Sequence, residues 1–290
     1  MNLTLALRLG RISNLPTVWS NVLVGALLAG GSLADPSLPL LMVTLSLFYV
    51  GGMFLNDAFD REFDARHRPE RPIPSGQVSA RQVFLIGFGL LAIGIAGVAG
   101  ASRGPDGTPA WRALASGAAL VGAIVFYNAH HKGNPLSPLV MGLCRVLVVL
   151  TASFSLAVTL PAAVVLASIA LLCHLIGLTY IAKEEHLDRI GNLWPLGFLA
   201  LPVLYGLVLA VSTPLVWVPL VLYAGVLAFA LRLLRRRARG DVPRAVVTLI
   251  AGMSVLDGVV LAAGGHILPA ALAVVAFVLT LALQRWVPGT

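Results

Sequence analysis

Charged side chains are scarce in this chain. Asp, Glu, Lys and Arg together make up 11% of 290 residues, against about 25% in an ordinary soluble domain. With 58% hydrophobic residues and a mean hydropathy of +0.92, that shortage excludes a water-soluble globule. Cysteine is scarcer still. Cys144 and Cys173 are the only two, and both fall in long apolar runs, where a thiol acts as a small apolar residue; neither a disulfide nor a metal role is expected. Internal repeats, low-complexity tracts and a soluble domain are absent, and the linkers are short loops rich in Pro, Gly and charge. No cleaved leader is expected, because Arg8 and Arg11 lead directly into a full-length apolar run.

What is present is hydrocarbon. Runs of about 20 apolar residues, enough to cross a bilayer, occur near 15–33, 38–58, 81–101, 112–130, 136–157, 161–181, 193–212, 215–234, 245–264 and 267–285. The expected fold is all-α: one polytopic transmembrane helical bundle over residues 1–290, with nine or ten spans. If the spans alternate, Arg8, Arg11, Arg61, Arg66, Arg68, Arg71, Arg81, Lys132, Lys183, Arg189, the cluster from Arg232 to Arg244, and Arg285 share one side. Only Arg103 and Arg112 fall on the other. The positive-inside rule then puts the crowded side and both termini in the cytoplasm, across an inner or plasma membrane. The net charge of +8 is a topology signal; no aromatic-interleaved basic surface accompanies it, so nucleic acid is not an expected partner. Arg235, Arg236, Arg237 and Arg239 are expected to anchor a loop to anionic headgroups.

The few acids are concentrated. Asn56, Asp57, Asp60, Glu62 and Asp64 sit where the apolar helix from Leu38 to Leu55 ends. At helical spacing Asn56, Asp60 and Asp64 share a face, with Asp57 beside Asp60. Converging carboxylates repel unless a cation neutralises them, and hard oxygen ligands suit Mg²⁺ holding a phosphate ester. The loop that follows carries Arg66, Arg68 and Arg71, whose forks suit phosphate, so acids, Mg²⁺ and arginine together would make a diphosphate clamp. Lys183-Glu184-Glu185-His186-Leu187-Asp188, after the sixth run, places Glu184 and Asp188 on one face as a weaker second acidic site or an exposed charged turn.

Two further constellations fall on the same side. In Tyr127-Asn128-Ala129-His130-His131-Lys132, tyrosine and lysine could contact phosphate oxygens, whereas His130 and His131 point to different faces and read as interfacial residues. Arg11, Asn14 and Asn21 form a polar stripe at the start of the first span, for substrate or for helix packing. Deeper lie Arg145, His174 and Asp257. Arg145 and Asp257 either neutralise each other or Arg145 faces an anion; His174 reads as a packing residue.

These residues resemble the UbiA superfamily of intramembrane prenyltransferases over nearly the whole chain, from Arg11-Ile-Ser-Asn-Leu-Pro to the span after the basic cluster. The most specific pieces are Asn56-Asp57-x-x-Asp60-x-x-x-Asp64 and Arg71-Pro-Ile-Pro-Ser-Gly. The resemblance implies Mg²⁺ and an isoprenyl diphosphate held by two aspartate-rich helix ends, after the second and sixth spans, with the allylic chain in a lipid-open cavity. The second motif departs from the family, with Glu184 or Glu185 in place of its first aspartate. A family core of nine spans would make 267–285 an extra helix. Asn134-Pro-Leu-Ser-Pro with Met141-Gly-Leu-Cys-Arg145 is similar to an EboC-like branch.

The implied reaction is Mg²⁺-dependent ionisation of an allylic isoprenyl diphosphate and transfer of the isoprenyl group to an aromatic or other electron-rich lipophilic acceptor in membrane lipid. Asn56, Asp57, Asp60, Asp64, Glu184 and Asp188 would hold the metal, with the aspartates as catalytic groups. Arg11, Asn14, Asn21, Arg71, Tyr127, Lys132, Arg145 and Lys183 would bind substrate. Phe48, Tyr49, Phe54 and Phe59 are candidates to face a carbocation, although packing competes for them. The rival reading is a transport or scaffold protein that keeps the prenyltransferase fold without turnover.

Overall fold

A computed structural model describes residues 1–102, 110–183 and 196–287, the side chains of Lys183 and Leu196 excepted. All regular structure among them is helical. A short α1 (Leu3–Leu9), capped by Asn2, leads through a 3-10 turn (Ile12–Asn14) into α2 (Leu15–Leu28). There follow α3 (Leu38–Phe59), the short α4 (Arg61–His67), α5 (Ala80–Ala101), α6 (Trp111–His130), α7 (Ser137–Leu156) and α8 (Ala162–Lys183). The chain ends with α9 (Leu196–Ser212), α10 (Trp217–Arg236), α11 (Asp241–Ala263) and α12 (Ile267–Leu283).

Each expected apolar run meets a helix, yet only seven of these, α3, α5, α6, α7, α8, α10 and α11, are long and apolar enough to cross a membrane. The other three, α2, α9 and α12, fall in the range of 10–17 residues. A 17-residue helix rises about 25 Å, short of a hydrocarbon core of ~30 Å. Length therefore supports seven spans among the described residues, where the sequence suggested nine or ten. Large apolar side chains such as Leu85, Phe88, Ile93, Val218, Val221 and Phe229 are exposed, the pattern of a bundle whose outer surface is lipid.

At the centre stand α2 and α11, buried along most of their lengths. They pack on each other, α2 also on α7 and α12, and α11 also on α8, α10 and α12. Small residues set the closest approaches. A Cβ on Gly25 of α2 would lie 2.2 Å from the Val149 carbonyl oxygen of α7, and one on Gly51 of α3 would lie 2.9 Å from the Gly87 carbonyl of α5. Several polar residues inside the bundle find partners, whereas the buried hydroxyls of Ser13, Ser153 and Ser168 have none among the described residues. Ser116 pairs with Thr151 at 2.9 Å, and Ser102 donates to Ser155 at 2.6 Å. His174 is, as expected, a satisfied packing residue, between the Tyr223 hydroxyl at 2.8 Å and the Leu249 carbonyl at 2.9 Å. One member of the basic run is internally spoken for: Arg236 makes two bonds, of 2.8 and 2.6 Å, to the buried Asp241 carboxylate and so closes the α10–α11 turn.

Candidate active site

The acidic helix end is continuous. Between α3 and α4 the backbone ladder persists, Asp60 N donating to Asn56 O at 3.0 Å, Asp64 N to Asp60 O at 2.8 Å and Arg68 N to Asp64 O at 2.7 Å. Asn56, Asp60 and Asp64 thus succeed one another on one face, and with Asp57 they are buried.

Four cationic or ionisable groups from three other segments meet them. The loop after α4 folds back so that Arg71 Nη1 lies 3.1 Å from Asp57 Oδ1 and 3.4 Å from Asp64 Oδ2. Arg11 Nη2 donates to Asn56 Oδ1 at 3.1 Å and reaches Asp57 Oδ1 at 3.3 Å. From the end of α6, Lys132 Nζ stands 3.1 Å from Asp60 Oδ2 and 3.8 Å from the Phe63 ring centre, and His131 Nε2 stands 3.5 Å from Asp60 Oδ1. Burial pushes the Asp60 pKa up, but His131 and Lys132 together outweigh it and hold the carboxyl below its ordinary value. At Asp64 burial prevails over Arg71, with help from the neighbouring Asp60 and Asp57 charges, and its pKa is raised.

Arg11 reaches the site through a left-handed backbone, φ 43 and ψ 48. That conformation costs a non-glycine residue roughly 1–2 kcal/mol. It also corrects the expected stripe: because Arg11 and a 3-10 turn precede α2, Arg11, Asn14 and Asn21 do not lie along one helix face. Arg11 and Asn14 line the cavity below, and Asn14 Oδ1 accepts from Gln284 of the α12 end at 2.8 Å. Asn21 is fully buried and lines neither cavity described next.

Below the helix end opens a cavity of about 270 Å³. Its mouth is lined by Arg11, Asn56, Asp60, Arg68, Arg71, His131 and Lys132, and its apolar wall by Met53, Met141, Leu175, Leu178, Ile250 and Met253. A smaller apolar chamber of about 50 Å³, lined by Val18, Phe48, Leu120 and Ile124 among others, adjoins it. Tyr49, Met53, Tyr127, Met141 and Arg145 line both. Of the four aromatic candidates, Tyr49 alone lines the larger cavity. Phe48 is buried and lines only the smaller chamber, Phe54 is buried in packing, and Phe59 meets Phe84 edge-on at 5.1 Å.

Arg145 does not form a direct ion pair with Asp257. Its Nη1 donates to Asn21 Oδ1 at 3.3 Å and its Nη2 to Thr17 Oγ1 at 3.1 Å. Asp257 Oδ2 instead accepts from Ser20 Oγ at 2.6 Å and Asn21 Nδ2 at 2.7 Å. An asparagine, donor on one side and acceptor on the other, separates the two charges.

Sequence reasoning passed over Asn128. It donates to the Gly52 carbonyl at 3.1 Å and accepts from Asn56 Nδ2 at 3.1 Å, so it fixes the amide at the head of the acidic motif. The signal was an amide in an apolar helix, four residues before Lys132. His131, read as interfacial, stacks on Tyr127 with ring centres 4.9 Å apart and faces Asp60. Lys183's side chain, Glu184 and Asp188 lie outside the described residues.

Asn56, Asp57, Asp60 and Asp64 offer the hard oxygens that suit a divalent cation. Among the described residues no three His, Cys, Asp or Glu side chains converge as a preformed ligand set. Mg²⁺ does not require one, since it keeps several waters and is held through one or two carboxylates plus substrate phosphates.

The fold and the site together define an integral membrane helix bundle with a polar mouth on an apolar cavity. The chain belongs to the UbiA prenyltransferase family, whose profile matches residues 18–230; that family uses a divalent metal with diphosphate substrates. A digeranylgeranylglyceryl phosphate synthase of Methanopyrus kandleri is 42% identical over 89 residues, which is 31% of this chain and 32% of that protein. The matched stretch therefore spans about a third of that curated relative. Among solved structures, one described for digeranylgeranylglyceryl phosphate synthase in membranes is 19% identical with a TM-score of 0.62, covering 91% of this chain and 98% of the other. An apo UbiA homologue from Aeropyrum pernix K1 is also 19% identical, with a TM-score of 0.64 and coverage of 87% and 96%. At that identity the likeness is one of fold.

Proposed function

We propose that this chain, acting as one membrane domain, transfers an isoprenyl group from an allylic isoprenyl diphosphate to an electron-rich lipophilic acceptor, aromatic or otherwise, within the bilayer. The observation that carries the proposal is the convergence of Arg11, Arg71 and Lys132 on Asp57, Asp60 and Asp64 at the mouth of an apolar cavity. A diphosphate needs cations and its isoprenyl tail needs hydrocarbon; the cavity offers both within one volume.

Asn56, Asp57, Asp60 and Asp64 would hold Mg²⁺, and bound there it supplies positive charge to the leaving diphosphate. Arg71, Arg11 and Lys132 exchange their carboxylate partners for phosphate oxygens and stabilise the negative charge that develops as the allylic C–O bond breaks. The apolar wall excludes water from the carbocation while the acceptor attacks it. Tyr49 presents a ring to the cavity. With the basic residues kept inside, this mouth would face the cytoplasm. Incubation of the purified chain with labelled isoprenyl diphosphates, Mg²⁺ and a host lipid extract tests the reading: a labelled, Mg²⁺-dependent lipid product supports it, and its absence across chain lengths refutes it.

A further inference from the structure

A groove of about 460 Å³, larger than the cavity of about 270 Å³ below the acidic helix end, opens between α6 and α7. Trp111, Arg112 and Ala115 of α6 line one side, and Leu147, Leu150 and Phe154 of α7 line the other. The three α7 residues recur at i, i+3 and i+7, which is one face of that helix. No lining residue is shared with either cavity of the candidate active site. Along α6, Arg112 precedes Asn128, the residue that holds Asn56, by a rise of about 24 Å. The groove therefore opens near the membrane face opposite the acidic helix end.

Its shape is held from behind. Ser116, also on the wall, pairs with Thr151 at 2.9 Å, and Thr151 Oγ1 donates to the Leu147 carbonyl at 2.7 Å. These bonds fix α6 against α7 and keep the hydroxyls occupied with each other and with backbone. At the end of the groove Arg112 donates Nη1 to the Val158 carbonyl, which ties the loop after α7 to the start of α6 and brings Leu160 into the lining.

The end of the groove is cationic. The Arg112 guanidinium lies 5.4 Å from the Trp111 ring centre, and Trp111 is 70% exposed. An indole beside a guanidinium suits the headgroup level of a bilayer, where each keeps its apolar body in hydrocarbon and its polar edge in water. The contacts of Arg112 are that ring and a carbonyl, and among the described residues no carboxylate forms an ion pair with it. Most of its five N–H donors are left for another acceptor. On this side of the membrane the sequence places only Arg103 and Arg112, so the charge goes against the bias that sets topology. Hydrocarbon walls call for an acyl chain, and an arginine fork without a carboxylate calls for a phosphate.

The geometry points to this groove as a docking site for an anionic phospholipid of the leaflet opposite the acidic helix end, with one acyl chain along Leu147, Leu150 and Phe154 and the headgroup phosphate on Arg112. The lipid is a bound partner of the bundle and not a substrate, because the groove shares no wall with the cavity. The site stands whether or not the chain transfers an isoprenyl group.

The test uses the full chain, delipidated in dodecyl maltoside, and reads apparent dissociation constants from the rise in Tm that a ligand of the folded state produces. The probes are dioleoylphosphatidylglycerol, dioleoylphosphatidylcholine and inorganic phosphate. Wild type is expected to bind the phosphatidylglycerol more tightly than the phosphatidylcholine and to show no rise with inorganic phosphate. Arg112→Gln should weaken phosphatidylglycerol about tenfold or more and remove the preference between the two lipids. Ala115→Trp, which fills the groove and keeps the charge, should weaken it as well. If Arg112→Gln does not fold, Arg112→Lys serves, with part of the preference lost because lysine lacks the fork. Equal affinity of wild type for the two lipids would overturn the proposal, as would binding unchanged by Ala115→Trp. An equal loss in Arg239→Gln, an exposed arginine of the basic run, would mean diffuse attraction to surface charge and would also overturn it. A rise with inorganic phosphate alone would replace the lipid by a bare anion. A dimer that Ala115→Trp dissociates, with no lipid preference, would give the groove to a second copy of the chain instead.

Discussion

Arg71 donates Nη1 to Asp57 Oδ1 at 3.1 Å, across fourteen residues of chain that leave the helix end and return to it. The loop returns this guanidinium to the helix end. Arg71→Gln is expected to weaken inorganic diphosphate binding about 10- to 100-fold, and Arg71→Lys to recover part of that, since lysine keeps the charge but lacks the fork. Titration of both variants checks the order; equal losses would show that charge without the fork contributes nothing, and full recovery by lysine that charge alone matters.

Asn128 ties α6 to two points of α3, Gly52 and Asn56. Asn128→Leu leaves buried polar groups unpaired and is expected to cost about 1–3 kcal/mol. A lowered Tm in detergent, with a raised KM for the diphosphate, is the expected pair of results. A lowered Tm alone would make Asn128 a packing residue with no part in holding Asn56.

Gly25 has no room for a side chain, because its Cβ would fall 2.2 Å from the Val149 carbonyl oxygen. Gly25→Ala is expected to destabilise the bundle by about 1–3 kcal/mol through forced separation of α2 and α7. Gly122, where a Cβ would meet nothing within 4 Å, is the control: Gly122→Ala should leave Tm unchanged or higher.

Much of the bundle is legible in sequence because hydrocarbon selects for it: apolar runs announce the helices, and the spacing of Asn56, Asp60 and Asp64 announces a shared face. Other features are not legible, for identifiable reasons. Hydropathy carries no sign of φ, so the left-handed turn at Arg11 and the broken Arg11–Asn14–Asn21 stripe were invisible. The meeting of Asn128 and His131 with the acidic end depends on the rotation of α6 against α3, which periodicity along one helix does not fix. The separation of Arg145 from Asp257 depends on a third residue, Asn21. Equal depth suggested a pair, but depth says nothing about what stands between.

That intermediary changes what a mutant cycle should show. Arg145→Met and Asp257→Leu are each expected to lower stability, and to couple by about 0.5–3 kcal/mol through their shared partner. In an Asn21→Ala background the coupling should fall toward zero. A coupling that survives removal of Asn21 would mean that the two charges interact directly.

Under the proposed function, Asn56, Asp57, Asp60 and Asp64 bind a metal and a diphosphate for isoprenyl transfer. Its most direct test is Mg²⁺-dependent turnover of a labelled isoprenyl diphosphate by wild type, Asp60→Asn and Asp64→Asn in detergent, beside their Tm. Substitution by asparagine removes ligand charge while keeping shape. Wild type should turn over and lose all turnover in EDTA, whereas both variants should be inactive yet folded. Variants as active as wild type would contradict the claim.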